Sequence, residues 1–486
     1  MEQQISSWKE KYAEVKSTLM QMGKVESAAT AFNTNVDAVL KIKGRRLAEL
    51  AKELGMSWEE LTTIGESKLN SGKDVIKGAF RCFANGIAEE WLTEDIDVYN
   101  WMANNLGYDR LQMGGQAGIV ANALAVCGVR RVLAHCNSLP KRQADQFLPR
   151  SNLVSFDEKG EMKQASEINR QDDIPLIHWI IEFDKGDVVE LDGHKVSCPK
   201  ANRFIATYDP MNLRLVMDNN FLEYLNKNPA EVTVLSGYHA LTAGNNGVEL
   251  VEGSVPVIKR WQDSGTLVHL EVASTQDKDV RRAVVEKVAS LADSIGLNER
   301  ETIDVLEVIG EEKQAQICEE NCSATNLFEA VLRIKQKVGC RRLQLHMFGL
   351  YLTIQDKGFK ITPEQNLKGM CLAAVVAASK AGSGNINEEA NLMWAYGLTA
   401  CDLGLQELGR VADYIGDEQI RFTGRRGFPM ASSHKKRTGL RAALIVLLCL
   451  VLVCAVAAAV LYSLVSRKVK AFQSGASFAL DYTITS

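Results

Sequence analysis

Apolar side chains recur at three- and four-residue intervals over residues 5–30 and 43–65, and again in "GIVANALAVCG" at 118–128, which predicts helices there. Between 145 and 225 the period shortens. Runs such as "IPLIHWIIEF", "DVVEL", "HKVSC" and "RFIATYD" stand between charged or glycine-bearing turns, and predict antiparallel strands forming a lobe or lid. From 230 onward strand-like and helix-like runs take turns: "EVTVLSGY", "TLVHLEVAS", "DVRRAVVEKVASLADSIG", "ETIDVLEVIG", "LFEAVLRIKQKVG", "RRLQLHMFGLYLTI" and "NLKGMCLAAVVAASKAG". That alternation predicts an α/β fold with a doubly wound, mostly parallel sheet.

One further run, Ala442 to Ser466, carries no charge at all. As a helix it would rise about 37 Å, enough to cross a hydrocarbon core of about 30 Å. It follows a basic linker, 421–441, and precedes a short tail, 467–486. Lys435, Lys436, Arg437 and Arg441 before it outnumber Arg467, Lys468 and Lys470 after it. Read as a transmembrane anchor, this C-terminal apolar helix would keep the large domain in the cytoplasm.

Composition narrows the classes. The chain has 486 residues, 46% hydrophobic and 24% charged, with a net charge of −4. That fits two or three domains, or one large domain with an insertion. No basic stripe with interleaved aromatics appears, so nucleic acid is not an expected partner. Of the eleven cysteines only Cys318 and Cys322 lie close together, and no second pair completes a zinc set. Reduced thiols are the expectation. The charged, amphipathic start "MEQQISSWKEKYAEVKSTL" does not read as a secretory signal. "NSGKDVI" at 70–76 lacks the spacing and following hydroxyl of a P-loop.

Several polar groups interrupt apolar runs. "FNTNVDAV" at 32–39 sets Asn33, Asn35 and Asp37 at alternate positions, on one face if extended. Such a face suits a ligand with several hydroxyls, or simply a solvated edge strand. "LQMGGQAGIV" runs a glycine pair into a helix start, either a backbone approach to a ligand or a tight packing turn. Glu271 in "HLEVAS" and Glu301 in "GLNERE" each follow a strand-like run. Strand carboxyl ends form the ligand crevice of an open parallel sheet. Two carboxylates there can hold the hydrated magnesium that nucleotide phosphates require. Asn298-x-x-Glu301 equally fits a helix capping box, and His269 a satisfied buried histidine.

Taken in order, "FNTNVDA", "GGQAGIVAN", "IHWIIEF", "ANRFIATYD", "LSGYHAL", "HLEVAS" and "GLNERE" resemble the ADP-dependent glucokinase and phosphofructokinase family, a branch of the ribokinase-like fold. The resemblance covers about residues 8–420. It implies transfer of the β-phosphoryl group of ADP to glucose or fructose 6-phosphate, releasing AMP, with Mg2+ as cofactor. It also implies a nucleotide-carrying α/β domain and a smaller β-rich lid built from about 33–115 and 145–225. By position, Asn33, Asn35, Asp37, Gly114, Gly115 and Gln116 would meet the sugar. Glu271 and Glu301 would place magnesium, Glu301 through water. Asn298, and His346 in "LHMFGLY", would lie beside the nucleotide. His178 and Glu90 resemble glucose-type sugar ligands, while "FNTN" is closer to the phosphofructokinase form and Arg203 would suit a sugar phosphate. Glucose is the expected substrate, with fructose 6-phosphate as a second.

The family closes with a Gly-x-Gly-Asp stretch whose Asp is the general base. Here the resemblance stops near Phe422. Gly416-Asp417 lies too early, and no catalytic base is recognised. Three accounts follow: an artefactual C-terminus, an enzyme using another residue, or a membrane-attached pseudokinase that binds sugar or nucleotide without turnover.

Overall fold

The computed structural model describes residue 10 and residues 12–63, 65–347, 349–398, 402–423 and 478–484. The apolar run 442–466 and its flanking linker therefore lie outside the described residues. Among the described residues no helix is long and apolar enough to cross a membrane.

In chain order the strands are β1 (Ala28–Ala31), β2 (Asn35–Lys41), β3 (Glu89–Thr93), β4 (Arg110–Gly114), β5 (Val132–Ala134), β6 (Leu153–Phe156), β7 (Met162–Gln164), β8 (Ile177–Phe183), β9 (Val188–Leu191), β10 (His194–Ser197), β11 (Asn202–Tyr208), β12 (Val232–Leu235), β13 (Leu267–Glu271), β14 (Ser294–Leu297), β15 (Arg342–Met347), β16 (Leu350–Asp356) and β17 (Phe478–Ile484). A ten-stranded sheet has the order β17-β16-β15-β14-β13-β12-β1-β5-β6-β7. Within it only β15·β16 and β6·β7 pair antiparallel. A five-stranded sheet has the order β3-β11-β8-β2-β4, and β9 and β10 form a separate hairpin.

The fold is thus mixed α/β with a large, mostly parallel sheet. Its central strands are covered on both faces, as in β1 and β12, where every residue is buried, Thr30 and Thr233 included. The smaller sheet has its own core. Val36, Ala38, Trp179, Ile181, Phe204 and Ala206 face the helices Gly44–Glu53 and Gly72–Asn85.

Three sequence expectations change. The helical reading of 5–30 overruns its element: Val15–Met20 is helix, Gln21–Lys24 a 3-10 turn, and Ala28–Ala31 the central strand β1. A short all-buried strand carries no period of two, so its pattern alone does not separate it from helix. The runs between 145 and 225 divide between the sheets: β6 and β7 join the large one, β8 and β11 the small one. The small sheet is mixed rather than antiparallel, since β2·β8 and β3·β11 run parallel.

At the other end, β17 pairs parallel with β16, so the chain after the apolar run rejoins the same sheet as the chain before it. A single bilayer crossing by 442–466 would put one strand of this sheet on the wrong side.

From β1 the sheet grows one way through β5 and β6, and the chain then returns to extend it the other way through β12, β13 and β14. The order therefore reverses between β1 and β12. Ligand crevices of open α/β sheets lie beyond the strand carboxyl ends at such a reversal.

Candidate active site at the strand reversal

Beyond the carboxyl end of β1 the chain passes through Phe32–Thr34 into β2 of the small sheet, so this crossing lies at the reversal itself. Asn35 and Asp37 share the polar face of β2, and Asn35 Nδ2 donates to Asp37 Oδ1 at 3.0 Å. Asn33 does not belong to the strand. It stays with the large sheet, where its Oδ1 accepts from Ser236 Oγ at 2.8 Å.

Gly114 lies opposite Asn35 at the β2–β4 pairing. A Cβ on Gly114 would collide with the Asp37 carboxylate and the Asn35 amide. Gly115 has φ +69°, and a Cβ there would lie 2.6 Å from Asn33 O and 2.8 Å from Asn35 Oδ1. Both glycines therefore leave room for the asparagines and Asp37, and the pair opens the helix Gln116–Val126.

Register aligns the rest of the face. Asp37 stands opposite His178, and His178 opposite Thr207. Thr207 Oγ1 donates to Glu90 Oε1 at 2.6 Å, and Glu90 lies 3.8 Å from His178 Nδ1. His178 Nε2 is bound to Asp209 Oδ2 at 3.0 Å. Burial disfavours a charged His178 ring, yet the Asp209 hydrogen bond and the charges of Asp209, Glu90 and Asp37 outweigh it and push the pKa up to about 9. Burial raises Asp37 against the opposing pull of His178.

Further along the same face a second row runs Lys41, Glu182, Arg203. Arg203 is half-buried and its guanidinium has no ion pair among the described residues; burial lowers its pKa against the charges of Glu182, Asp37 and Glu90. Burial raises Glu182 to about 7, opposed by Arg110, Arg203 and Lys41.

Glu271 ends β13, and Glu301 sits in the first turn of the helix that follows the neighbouring parallel strand β14. The sequence left a cap and a ligand role open for Glu301. The cap is real: Asn298 N donates to Glu301 Oε2 at 2.8 Å, and Glu301 N to Asn298 Oδ1 at 2.9 Å. Glu271 and Glu301 are only 1% and 6% exposed. Burial pushes each up to about 8, and the charge of Glu271 adds to the rise at Glu301. The two carboxyls are thus close enough to feel each other. His269 is satisfied, bridging Ser294 Oγ at 2.9 Å and Glu271 Oε1 at 2.8 Å. His346, on β15, is 2% exposed and both ring nitrogens lack hydrogen-bond partners.

Sequence reasoning missed Asp209, which directly follows the last residue of β11 and gave no signal. It also missed the return of β17. Asp481 on that strand shares a cross-sheet row with Glu271, through Gly296, Gln344 and Thr353.

Comparison with known proteins decides the family. Residues 26–454 match the model of the ADP-specific Phosphofructokinase/Glucokinase conserved region. The chain belongs to this family. An ADP-dependent glucose/glucosamine kinase of Pyrococcus abyssi is 32% identical over 395 residues, 79% of this chain and 83% of the relative. An ADP-specific phosphofructokinase of Methanosarcina acetivorans is 26% identical over 419 residues, 83% of this chain and 85% of the relative. Among solved structures, the last common ancestor of ADP-dependent phosphofructokinases from Methanosarcinales superposes with a TM-score of 0.75 at 28% identity, covering 93% of this chain and 99% of its own. An ADP-dependent kinase in complex with fructose-6-phosphate and ADPbetaS gives 0.72 at 26% identity, covering 94% and 99%.

Proposed function

We propose that this family member transfers the β-phosphoryl group of ADP to glucose, with fructose 6-phosphate as a second acceptor, releasing AMP. One observation carries the reading. Two buried carboxylates stand past the carboxyl ends of adjacent parallel strands, Glu271 closing β13 and Glu301 in the first helical turn after β14, while Asn35, Asp37, His178 and Glu90 line up on the small sheet that the chain enters directly from β1. Asn35 Oδ1 and Gln116 Oε1 are buried without partners, which is expensive unless hydroxyl donors meet them. A sugar supplies several.

The carboxylate pair fits Mg2+. Its burial cost falls when a cation shares it, and magnesium binds through one or two carboxylates while keeping waters and phosphate oxygens. Among the described residues no cluster of three or more His, Cys, Asp or Glu would form an all-protein cage. When bound, the ion neutralises charge on the transferring phosphoryl group. Glu271 would hold it directly and Glu301 through water, with Asn298 and His346 toward the nucleotide. Asn33, Gly114 and Gly115 shape the sugar site, and His178 donates to a sugar oxygen as a fixed cation. Arg203 lies four residues from Thr207, about 13 Å along β11. It would meet the phosphate of fructose 6-phosphate.

Purified protein with ADP, Mg2+ and either sugar should release AMP in step with sugar phosphate. Sugar binding by calorimetry without AMP would leave a binding module and remove the transfer. Neither binding nor AMP would reject the assignment.

A further inference from the structure

The large sheet also sends a side chain to the crevice. Beyond the carboxyl end of β12, on the other side of the strand reversal from Asn33, a 3-10 turn spans Tyr238–Ala240. Its path is tightly held. Ser236 N donates to Ala31 O at 2.7 Å, and Phe32 N to Ser236 O at 2.9 Å, extending the β1–β12 pairing past the strand ends. Gly237 has φ +101°, and a Cβ there would lie 2.9 Å from Asn33 Cβ. Only glycine lets the turn rest on Asn33 in this conformation. Tyr238, fully buried, exchanges a hydrogen bond with Ser254 Oγ at 2.9 Å.

This frame holds His239. The groups that act electrostatically on its ring are Glu90, His178 and Asp209, all from the small-sheet side of the crevice. Its Nδ1 is nevertheless buried without any hydrogen-bond partner. Burial disfavours the charged ring, so His239 is a neutral imidazole with a free polar nitrogen. Asn35 Oδ1, Gln116 Oε1 and His239 Nδ1 are then three unmet polar atoms, contributed by β2, by the helix Gln116–Val126 and by the turn after β12.

We propose that His239 is a sugar-binding residue, its Nδ1 hydrogen-bonded to a hydroxyl of the same hexose that Asn35 and Gln116 contact, so that the sugar itself bridges the two sheets. This rests on the hexose-kinase reading and deepens it. The sugar bond is made by a residue of the large sheet, whereas Asp37, Glu90 and His178 belong to the small one. A bound hexose thereby ties the small sheet to the strand reversal.

The test uses the full chain with glucose as probe, and His239→Ala and His239→Gln as variants. Wild-type protein should bind glucose by calorimetry and show a glucose-dependent rise in Tm. His239→Ala should weaken glucose binding about 3- to 10-fold, the range of one neutral hydrogen bond, with ADP KM and ligand-free Tm unchanged. His239→Gln, which keeps a hydrogen-bonding group, should recover part of the loss. Unaltered glucose affinity in His239→Ala overturns the proposal. So does a loss that appears equally in ligand-free Tm, which marks a structural role. Wild-type protein that binds no glucose and no fructose 6-phosphate overturns the hexose reading itself, a result distinguishable from either.

Discussion

At the scale of single residues, the small-sheet face works by crowding unlike groups. His178 is charged at neutral pH because Asp209 holds its Nε2 and two further carboxylates face it. A histidine whose pKa rises from 6.5 to about 9 on folding contributes stability that is complete below about pH 6.5 and lost as pH climbs through about 9. Tm should therefore fall between pH 7 and 10 more steeply in wild type than in His178→Gln, and glucose KM should rise over the same interval only in wild type. Titrating Tm and KM side by side checks both. Gly114 is set by contact. Gly114→Ala must push aside the Asp37 carboxylate and the Asn35 amide, an overpacking cost of about 1–3 kcal/mol. Thermal unfolding should register that cost, and calorimetry the loss of glucose binding.

At the scale of elements, the helix Glu299–Val308 opens on a reciprocal cap. Asn298 satisfies the Glu301 amide, while Glu301 returns its carboxylate to Asn298 N. The same bond that starts the helix therefore aims Glu301. Asn298→Ala should cost about 1 kcal/mol, as loss of an N-cap does. If Glu301 serves the ion, the variant should also need more Mg2+ for half-maximal rate. A stability loss with unchanged Mg2+ demand would leave Glu301 as a cap alone. The edge strand β17 gives a second test at this scale. It covers the outer edge of β16, and a bare sheet edge invites pairing with other chains. Protein truncated after residue 477 should unfold at lower temperature and scatter light earlier on heating.

At the scale of the whole molecule, each sheet has a core of its own. The small sheet packs Trp179, Phe204 and Phe183 on helices of its own, and the large sheet has a separate buried cluster. The covalent links between them run through segments such as Phe32–Asn35 and Tyr208–Asn212, where buried polar bonds concentrate. Asn212 Nδ2 donates to Asp209 Oδ2 at 2.6 Å and to Thr34 O at 3.3 Å, and Asn137 Nδ2 donates to Asn212 Oδ1 at 2.7 Å. Asn212→Ala would take the Nδ2 donor from Asp209 Oδ2, the oxygen that holds His178, and keep only the backbone bond from Asn212 N to Asp209 Oδ1. It should weaken glucose binding more than ADP binding, as parallel calorimetric titrations would report.

Local pattern alone carried the α/β class, the strand and helix succession after 230, the cap at Asn298, and the polar alternation of Asn35 and Asp37. Each depends on neighbours within a few residues, and side-chain periodicity or capping chemistry records such neighbours directly. The short strand β1 was hidden because burial on both faces erases its alternation. Asp209 was hidden for another reason: its partner is 31 residues away, in the His178–Asp209 bond. Only the reversal of strand order between β1 and β12 sets the crossing at Asn33 against the turn at Gly237, because pairing in a sheet joins segments that no local rule relates.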